Sequence, residues 1–166
     1  MAETETLSPL LPNEVEEATR RLLEKACERD LMFAVAESCT GGMLASLLTD
    51  VHGSAHAFER GFVTYSNEAK AEMLGIPTAL IEQEGAVSKP VAIAMAEGAL
   101  ERSRANLAVS ITGFADSGPE PGLVHFACAR AGRRTAHREE HFGPVGRGAT
   151  RVACMRVAVE MLSDML

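Results

Sequence analysis

An apolar run from Leu31 to Val35 breaks into Ala36-Glu37-Ser38-Cys39-Thr40-Gly41-Gly42, and a second apolar run, Met43 to Leu48, follows at once. Short apolar runs on either side of a Ser/Thr/Gly turn read as strand, tight turn and helix. That unit constrains the whole chain, because a buried strand feeding a helix needs further helices to cover its sheet. The two glycines let the backbone turn and approach a ligand closely. The first N–H groups of the following helix lack partners inside it and lie at its positive end. A hydroxyl beside them can act as a nucleophile whose oxyanion they stabilise, or they can hold a phosphate. An ordinary Ser/Thr cap in a glycine-containing loop would use the same residues.

The rest of the chain repeats the alternation. Asn13 to Arg29 is amphipathic, with Val15, Ala18, Leu22, Leu23 and Ala26 at helical spacing. Leu31 to Ala36 reads as a buried strand and Gly42 to Thr49 as a helix. Gly61 to Tyr65 reads as a short strand, and Asn67 as the cap of a helix from Glu68 to Leu74 that Gly75 and Pro77 stop. Thr78 to Glu84 is read as a helical turn, and Ser88 with Pro90 opens a helix running to about Arg104. Leu107 to Ile111 is a strongly apolar strand, and Thr112 to Gly122 a Gly/Pro-rich loop. Leu123 to Arg130 and Thr135 to Phe142 form a hairpin, and a last helix runs from about Ala149 to Met165. The expected architecture is α/β, a three-layer α/β/α sandwich around a mixed, mainly parallel sheet, in one domain from residue 13 to 166. Residues 1–12, with Glu3, Glu5, Pro9 and Pro12, read as a loose lead-in.

Composition narrows the function. The 166 residues are 46% apolar and 23% charged, as expected of a globular protein. Aromatics are only 4% with no Trp, so stacking platforms for single strands are scarce. A net charge of −7 argues against a general nucleic-acid binder, whose affinity comes from neutralising phosphates, but permits a local positive pocket for a small anion. Cys27, Cys39, Cys128 and Cys154 are widely spaced, which suits reduced thiols in a cytoplasmic protein better than a disulfide framework. Neither a secretory leader nor a run of roughly 18 apolar residues is visible, so no membrane attachment is expected. The five histidines show no metal-ligand spacing, and no metal or cofactor is expected.

Open α/β sheets bind ligands beyond the carboxyl ends of their strands. Three strand exits carry suggestive residues. The first is the Ser38 turn. The second is Tyr65-Ser66-Asn67-Glu68-Ala69-Lys70, where Lys70 falls in the first helical turn. The positive helix end and burial would both favour its neutral amine, a general base for a hydroxyl, and Tyr65 could share protons with the pair. A surface lysine with a half-buried tyrosine is the plain alternative. The third is Thr112 to Pro119, a small-residue loop that could cradle an anion, although Asp116 would repel a phosphate set against it. Arg147 and Arg151 share a helix face near its N-terminus, a poor place for cations unless an anion faces them: a bound ligand or an acidic residue of the chain.

These segments together resemble the CinA C-terminal domain family, the nicotinamide-nucleotide amidases. The resemblance rests on Ala36 to Gly42, Thr49-Asp50-Val51-x-Gly53-Ser54, Gly61-Phe62-Val63-Thr64-Tyr65-Ser66-Asn67-Glu68-Ala69-Lys70, Leu74-Gly75-Ile76, Gly85-Ala86-Val87-Ser88, Ala94-Met95-Ala96-x-Gly98-Ala99 and Thr112-Gly113. Order and spacing agree over residues 13 to 166. The resemblance implies hydrolysis of the carboxamide of nicotinamide mononucleotide to nicotinate mononucleotide and ammonia, by a metal-free and commonly oligomeric domain. A small phosphorylated nucleotide is therefore the expected partner, with a homo-oligomer and without nucleic acid. By motif position Ser38 would be the nucleophile, with Tyr65 and Lys70 activating it. Glu37, Thr40, Gly41, Gly42, Asn67, Thr112, Gly113 and Arg147 would contact the substrate.

The chain departs from the family pattern at two places. The loop after Thr112-Gly113 is short, carries Asp116 where a glycine is expected, and lacks the usual lysine. Val145-Gly146-Arg147 lacks an acidic residue before its arginine. One lost charged hydrogen bond weakens binding by about ten- to a hundredfold. Amide hydrolysis of a different small amide, and a non-catalytic nucleotide-binding module of the same fold, are therefore the alternative expectations.

Overall fold

The computed structural model describes residues 11–166, so most of the expected lead-in lies outside the described residues. Among the described residues twelve elements follow one another in chain order. Helix α1 (Asn13–Glu28) leads to β1 (Phe33–Glu37) and α2 (Met43–Thr49). A 3-10 turn at Ala55–Ala57 precedes β2 (Phe58–Val63), α3 (Asn67–Leu74), α4 (Thr78–Glu84) and α5 (Lys89–Glu101). Then come β3 (Leu107–Gly113), β4 (Leu123–Arg130), β5 (Ala136–His141) and α6 (Arg147–Met165).

The strands form one sheet in the order β2-β1-β3-β4-β5. β1 lies parallel to both β2 and β3, whereas β4 runs antiparallel to β3 and to β5. Four of the five strands thus point the same way and β4 alone is reversed, giving the mixed, mainly parallel sheet expected.

Side-chain alternation along the strands divides the core. Phe33, Val35, Leu107, Val109, Ile111, Val124, Phe126 and Cys128 pack with α1, α2 and α6 on one face. Ala34, Ala36 and Ala108 face the other way, against Leu74, Ile81, Val91, Met95 and Ala99. Ala127 and Ala129 meet Ala92 and Ala96 of α5 on that same side. Alanine on both surfaces lets α5 lie close to the sheet, and the Ser110 hydroxyl donates to the Ala92 carbonyl at 2.6 Å across that narrow gap. The three-layer α/β/α arrangement follows. Among the described residues no helix is long and apolar enough to cross a membrane.

Several boundaries differ from the sequence reading for local physical reasons. β2 begins at Phe58 rather than Gly61 and ends at Val63, because its exposed edge residues pair with β1 through a register shift at Phe33/Ala34. Ser66, not Asn67, caps α3: its hydroxyl accepts from the Ala69 N–H at 3.0 Å, and Asn67 becomes the first helical residue. Thr78–Glu84 is a full helix, and α6 starts two residues earlier than expected, at Arg147 after a Gly146 cap.

Candidate active site

β1 ends at Glu37, and the chain must turn sharply before α2. Gly41 and Gly42 take left-handed backbone angles, φ 62° and 99°, that side-chain-bearing residues rarely adopt. The turn is organised from within by Glu37. Its side chain is fully buried. One carboxylate oxygen accepts from Thr40 Oγ1 at 2.5 Å, Gly42 N–H at 3.2 Å and Leu44 N–H at 3.1 Å; the other accepts from Ala45 N–H at 2.8 Å. A residue inside the strand end therefore does the work of a helix cap, for a helix whose own cap position offers no side chain.

Ser38 follows, 8% exposed, with its N–H donated to the Ile111 carbonyl of β3 at 3.0 Å. The parallel pairing of β1 with β2 carries on past Val63 as Thr64 N–H donates to the Glu37 carbonyl at 2.8 Å. The helix that begins three residues later, at Asn67, brings Lys70 back over the strand ends. Lys70 is 1% exposed, and its Nζ lies 3.0 Å from Ser38 Oγ and 2.8 Å from the Thr64 carbonyl. Burial holds the Lys70 pKa below the ordinary lysine value, with the charge of Cys39 pulling weakly the other way. Nζ here donates to both oxygens; in its neutral form the amine has two N–H donors and one lone pair, and only then can it accept the Ser38 proton.

Ser38 opens into a cavity of about 220 Å³ whose walls also include Cys39, Tyr65, Ala86, Val87, Thr112 to Ser117, Arg147 and Arg151. Tyr65 stands at its rim, 73% exposed and without a hydrogen bond to Ser38 or Lys70. Thr112 is buried and its hydroxyl donates to the Ala86 carbonyl at 2.8 Å, tying the end of β3 to the Ala86–Val87 wall. Arg147, on the first turn of α6, pairs with Asp116 at 3.0 Å. Arg151, one turn on, donates from Nε to the Cys39 carbonyl at 2.8 Å.

The expected site residues therefore divide. Ser38, Tyr65, Thr112, Gly113 and Arg147 line the cavity, and Lys70 reaches it through Ser38. Glu37 and Thr40 do not: each is spent inside the turn. Gly41 N–H donates to the Ser38 carbonyl at 3.1 Å and Gly42 N–H to Glu37, so the α2 N–H groups expected to meet a phosphate or an oxyanion are already occupied. Among the described residues the Cys39 and Thr40 N–H groups have no backbone acceptor; the Cys39 N–H lies against its own sulfur, and Thr40 is outside the cavity wall. Asn67 lies in a separate shallow cleft with Glu68, Thr78, Ile81 and Glu82. Reading the sequence missed Arg151 as an anchor of the turn, and Ala86 and Val87 as wall. Both had a signal, the i, i+4 arginine pair and the Gly85–Ser88 motif. Cys39 carries a thiol whose pKa is lowered chiefly by a hydrogen bond with the Cys154 thiol, itself pushed up by the same contact.

One buried group is left over. Thr64 Oγ1 is inaccessible and has no hydrogen-bond partner among the described residues. A buried hydroxyl without a partner costs roughly 1–3 kcal/mol, so Thr64→Val is expected to raise stability by about 1 kcal/mol. The measurement is the urea midpoint at constant m-value; a lowered midpoint would mean that the hydroxyl is bonded in solution.

A three-layer α/β/α domain with a buried serine–lysine contact at the carboxyl ends of its parallel strands is the class defined by fold and site. The chain belongs to the CinA C-terminal domain family, whose family model matches residues 15–166. It is 51% identical over 119 residues to the nicotinamide-nucleotide amidohydrolase PncC of Escherichia coli K12, covering 69% of this chain and 72% of that protein. It is 50% identical over 123 residues to a CinA-like protein of Akkermansia muciniphila, covering 68% of this chain but 30% of that relative. A Symbiobacterium thermophilum relative is matched over 28% of its length, so the chain spans less than a third of some relatives. Among solved structures, the competence/damage inducible protein CihA of Agrobacterium tumefaciens superposes with a TM-score of 0.91 at 44% identity, covering 93% of this chain and 97% of that one.

Proposed function

We propose that this domain hydrolyses the carboxamide of a nicotinamide nucleotide, with Ser38 as nucleophile and Lys70 as its base. The observation that carries the proposal is the 3.0 Å contact between Ser38 Oγ and a lysine amine that is 1% exposed. The resemblance to a nicotinamide-nucleotide amidohydrolase over most of both chains supports the substrate class.

The chemistry divides into two displacements. Lys70 takes the Ser38 proton as Oγ attacks the amide carbon. The carbonyl oxygen becomes an oxyanion, and the Cys39 N–H, in the cavity wall beside Ser38, is the turn donor offered to it. Lys70 returns its proton to the departing nitrogen, the C–N bond breaks, and ammonia leaves an ester on Ser38. Water then attacks that ester with Lys70 again as base, releasing the carboxylic acid and restoring the hydroxyl. Tyr65 offers an exposed aromatic face at the cavity mouth on which a planar pyridine ring can stack. The cavity is small beside the ~300–1,000 Å³ of typical ligand sites. It suits the amide-bearing head group, with the remainder of a nucleotide extending toward Arg147.

The test is ammonia release from nicotinamide mononucleotide. Ser38→Ala should lower kcat by about 10³-fold or more without moving Tm by more than a few degrees. Wild-type rates in the alanine variant would end the serine assignment.

A further inference from the structure

We propose that Asp116 is a specificity-determining residue of this cavity: its carboxylate holds the anion-binding position of Arg147 and must be displaced before a phosphate can bind there. The proposal rests on the amide-hydrolase reading for its substrate, and on geometry for Asp116 itself.

Both carboxylate oxygens of Asp116 lie about one hydrogen bond from Arg147 Nη2, at 3.1 and 3.0 Å, and both residues line the cavity that contains Ser38. The placement is held by the backbone. The Thr150 hydroxyl of α6 donates to the Ala115 carbonyl at 3.0 Å, fixing the residue before Asp116 to the helix turn that carries Arg147. The base of the same loop is closed where Phe114 N–H donates to the Leu123 carbonyl and Gly122 N–H to the Phe114 carbonyl, at 2.9 and 2.6 Å. Arg151 beside it is held by one hydrogen bond from Nε, and its terminal nitrogens have no acceptor among the described residues.

A phosphate approaching these two arginines therefore meets a paired cation and an unpaired one, with a carboxylate between it and the first. The pair is partly solvated, 54% and 35% exposed at the side chains, so it is breakable. A carboxylate a few ångströms from a dianion repels it substantially even at intermediate dielectric. Asp116 thus lowers the advantage of a phosphorylated substrate over the same amide without phosphate, while leaving the reacting end at Ser38 untouched.

The experiment compares nicotinamide mononucleotide with nicotinamide riboside on wild type, Asp116→Asn, Asp116→Glu and Asp116→Asn/Arg147→Gln. The expected result is that Asp116→Asn raises the mononucleotide-to-riboside ratio of kcat/KM by about tenfold or more, through KM for the mononucleotide. Asp116→Glu should stay within threefold of wild type, and the double variant should lose the gain. A ratio unchanged in Asp116→Asn, or a gain that survives removal of Arg147, overturns the proposal. If no variant releases ammonia from either compound, the amide-hydrolase reading fails by itself. Equilibrium binding of inorganic phosphate then decides the Asp116 assignment: about tenfold tighter in Asp116→Asn and lost in the double variant supports it, equal affinities overturn it.

Discussion

Lys70→Met should reduce amide hydrolysis by about 10²–10⁴-fold and at the same time leave the fold as stable as before, or more so. The two halves of that result have one cause. Lys70 is 1% exposed, and burial lowers its pKa, so the folded chain binds fewer protons there than the unfolded chain. Stability therefore rises with pH wherever the unfolded lysine is still protonated and the folded one is not; below that window the buried site carries an ion it solvates poorly. Methionine has nearly the same length and fills the space without any such cost, although it leaves the Thr64 carbonyl without its 2.8 Å donor. Tm should thus hold or rise at neutral pH, and its increase toward alkaline pH should flatten. Lys70→Arg makes the complementary test. A guanidinium cannot give up its proton in this range and so can neither accept from Ser38 nor enter the site uncharged. It should lose both activity and stability. In wild type, kcat/KM should climb as Lys70 deprotonates and level off at a pH below the ordinary lysine range. A flat profile, or a methionine variant that retains activity, would remove Lys70 from the mechanism.

The local pieces of this arrangement were legible in the sequence, and their meeting was not. The strand-turn-helix at Ser38 and the helix bearing Lys70 are each short-range patterns of apolar spacing and turn residues. The contact between them depends on β1 and β2 lying parallel and in register, so that Thr64 continues the ladder beside Glu37. Periodicity does not report register. The same limit explains Ser66 and Asn67: adjacent residues of equal capping ability differ only in which backbone angle the β2 exit imposes. Asp116 and Arg147 are 31 residues apart, joined by the way α6 crosses the loop after β3. The sequence reading paired Arg147 with a phosphate or with an acid of the chain, and the acid is the one seen. The family resemblance places Glu37 against substrate by motif position alone. Its side chain folds back into the turn and accepts from four donors there, which no spacing rule announces.

Glu37→Gln separates those two roles. The carboxylate accepts four hydrogen bonds from inside the turn, three on one oxygen and one on the other. Glutamine has the same shape but only one acceptor oxygen. If that oxygen keeps Thr40, Gly42 and Leu44, the amide NH2 faces the Ala45 N–H, donor against donor, at a fully buried position. The three remaining bonds also lose their charge assistance. Losing one charged bond and burying an unmatched donor should cost about 2–4 kcal/mol. For a chain of this size that corresponds to a fall in Tm of roughly 5–15 °C. Activity should fall with it, because the same turn holds Ser38 against Lys70. A residue that touched substrate would behave in the opposite way, with KM rising and Tm unchanged. Thermal unfolding followed alongside the mononucleotide KM in this single variant therefore tells scaffold from contact. The scaffold role requires the loss of Tm to appear even without ligand, and an unshifted Tm would return Glu37 to the substrate side of the turn.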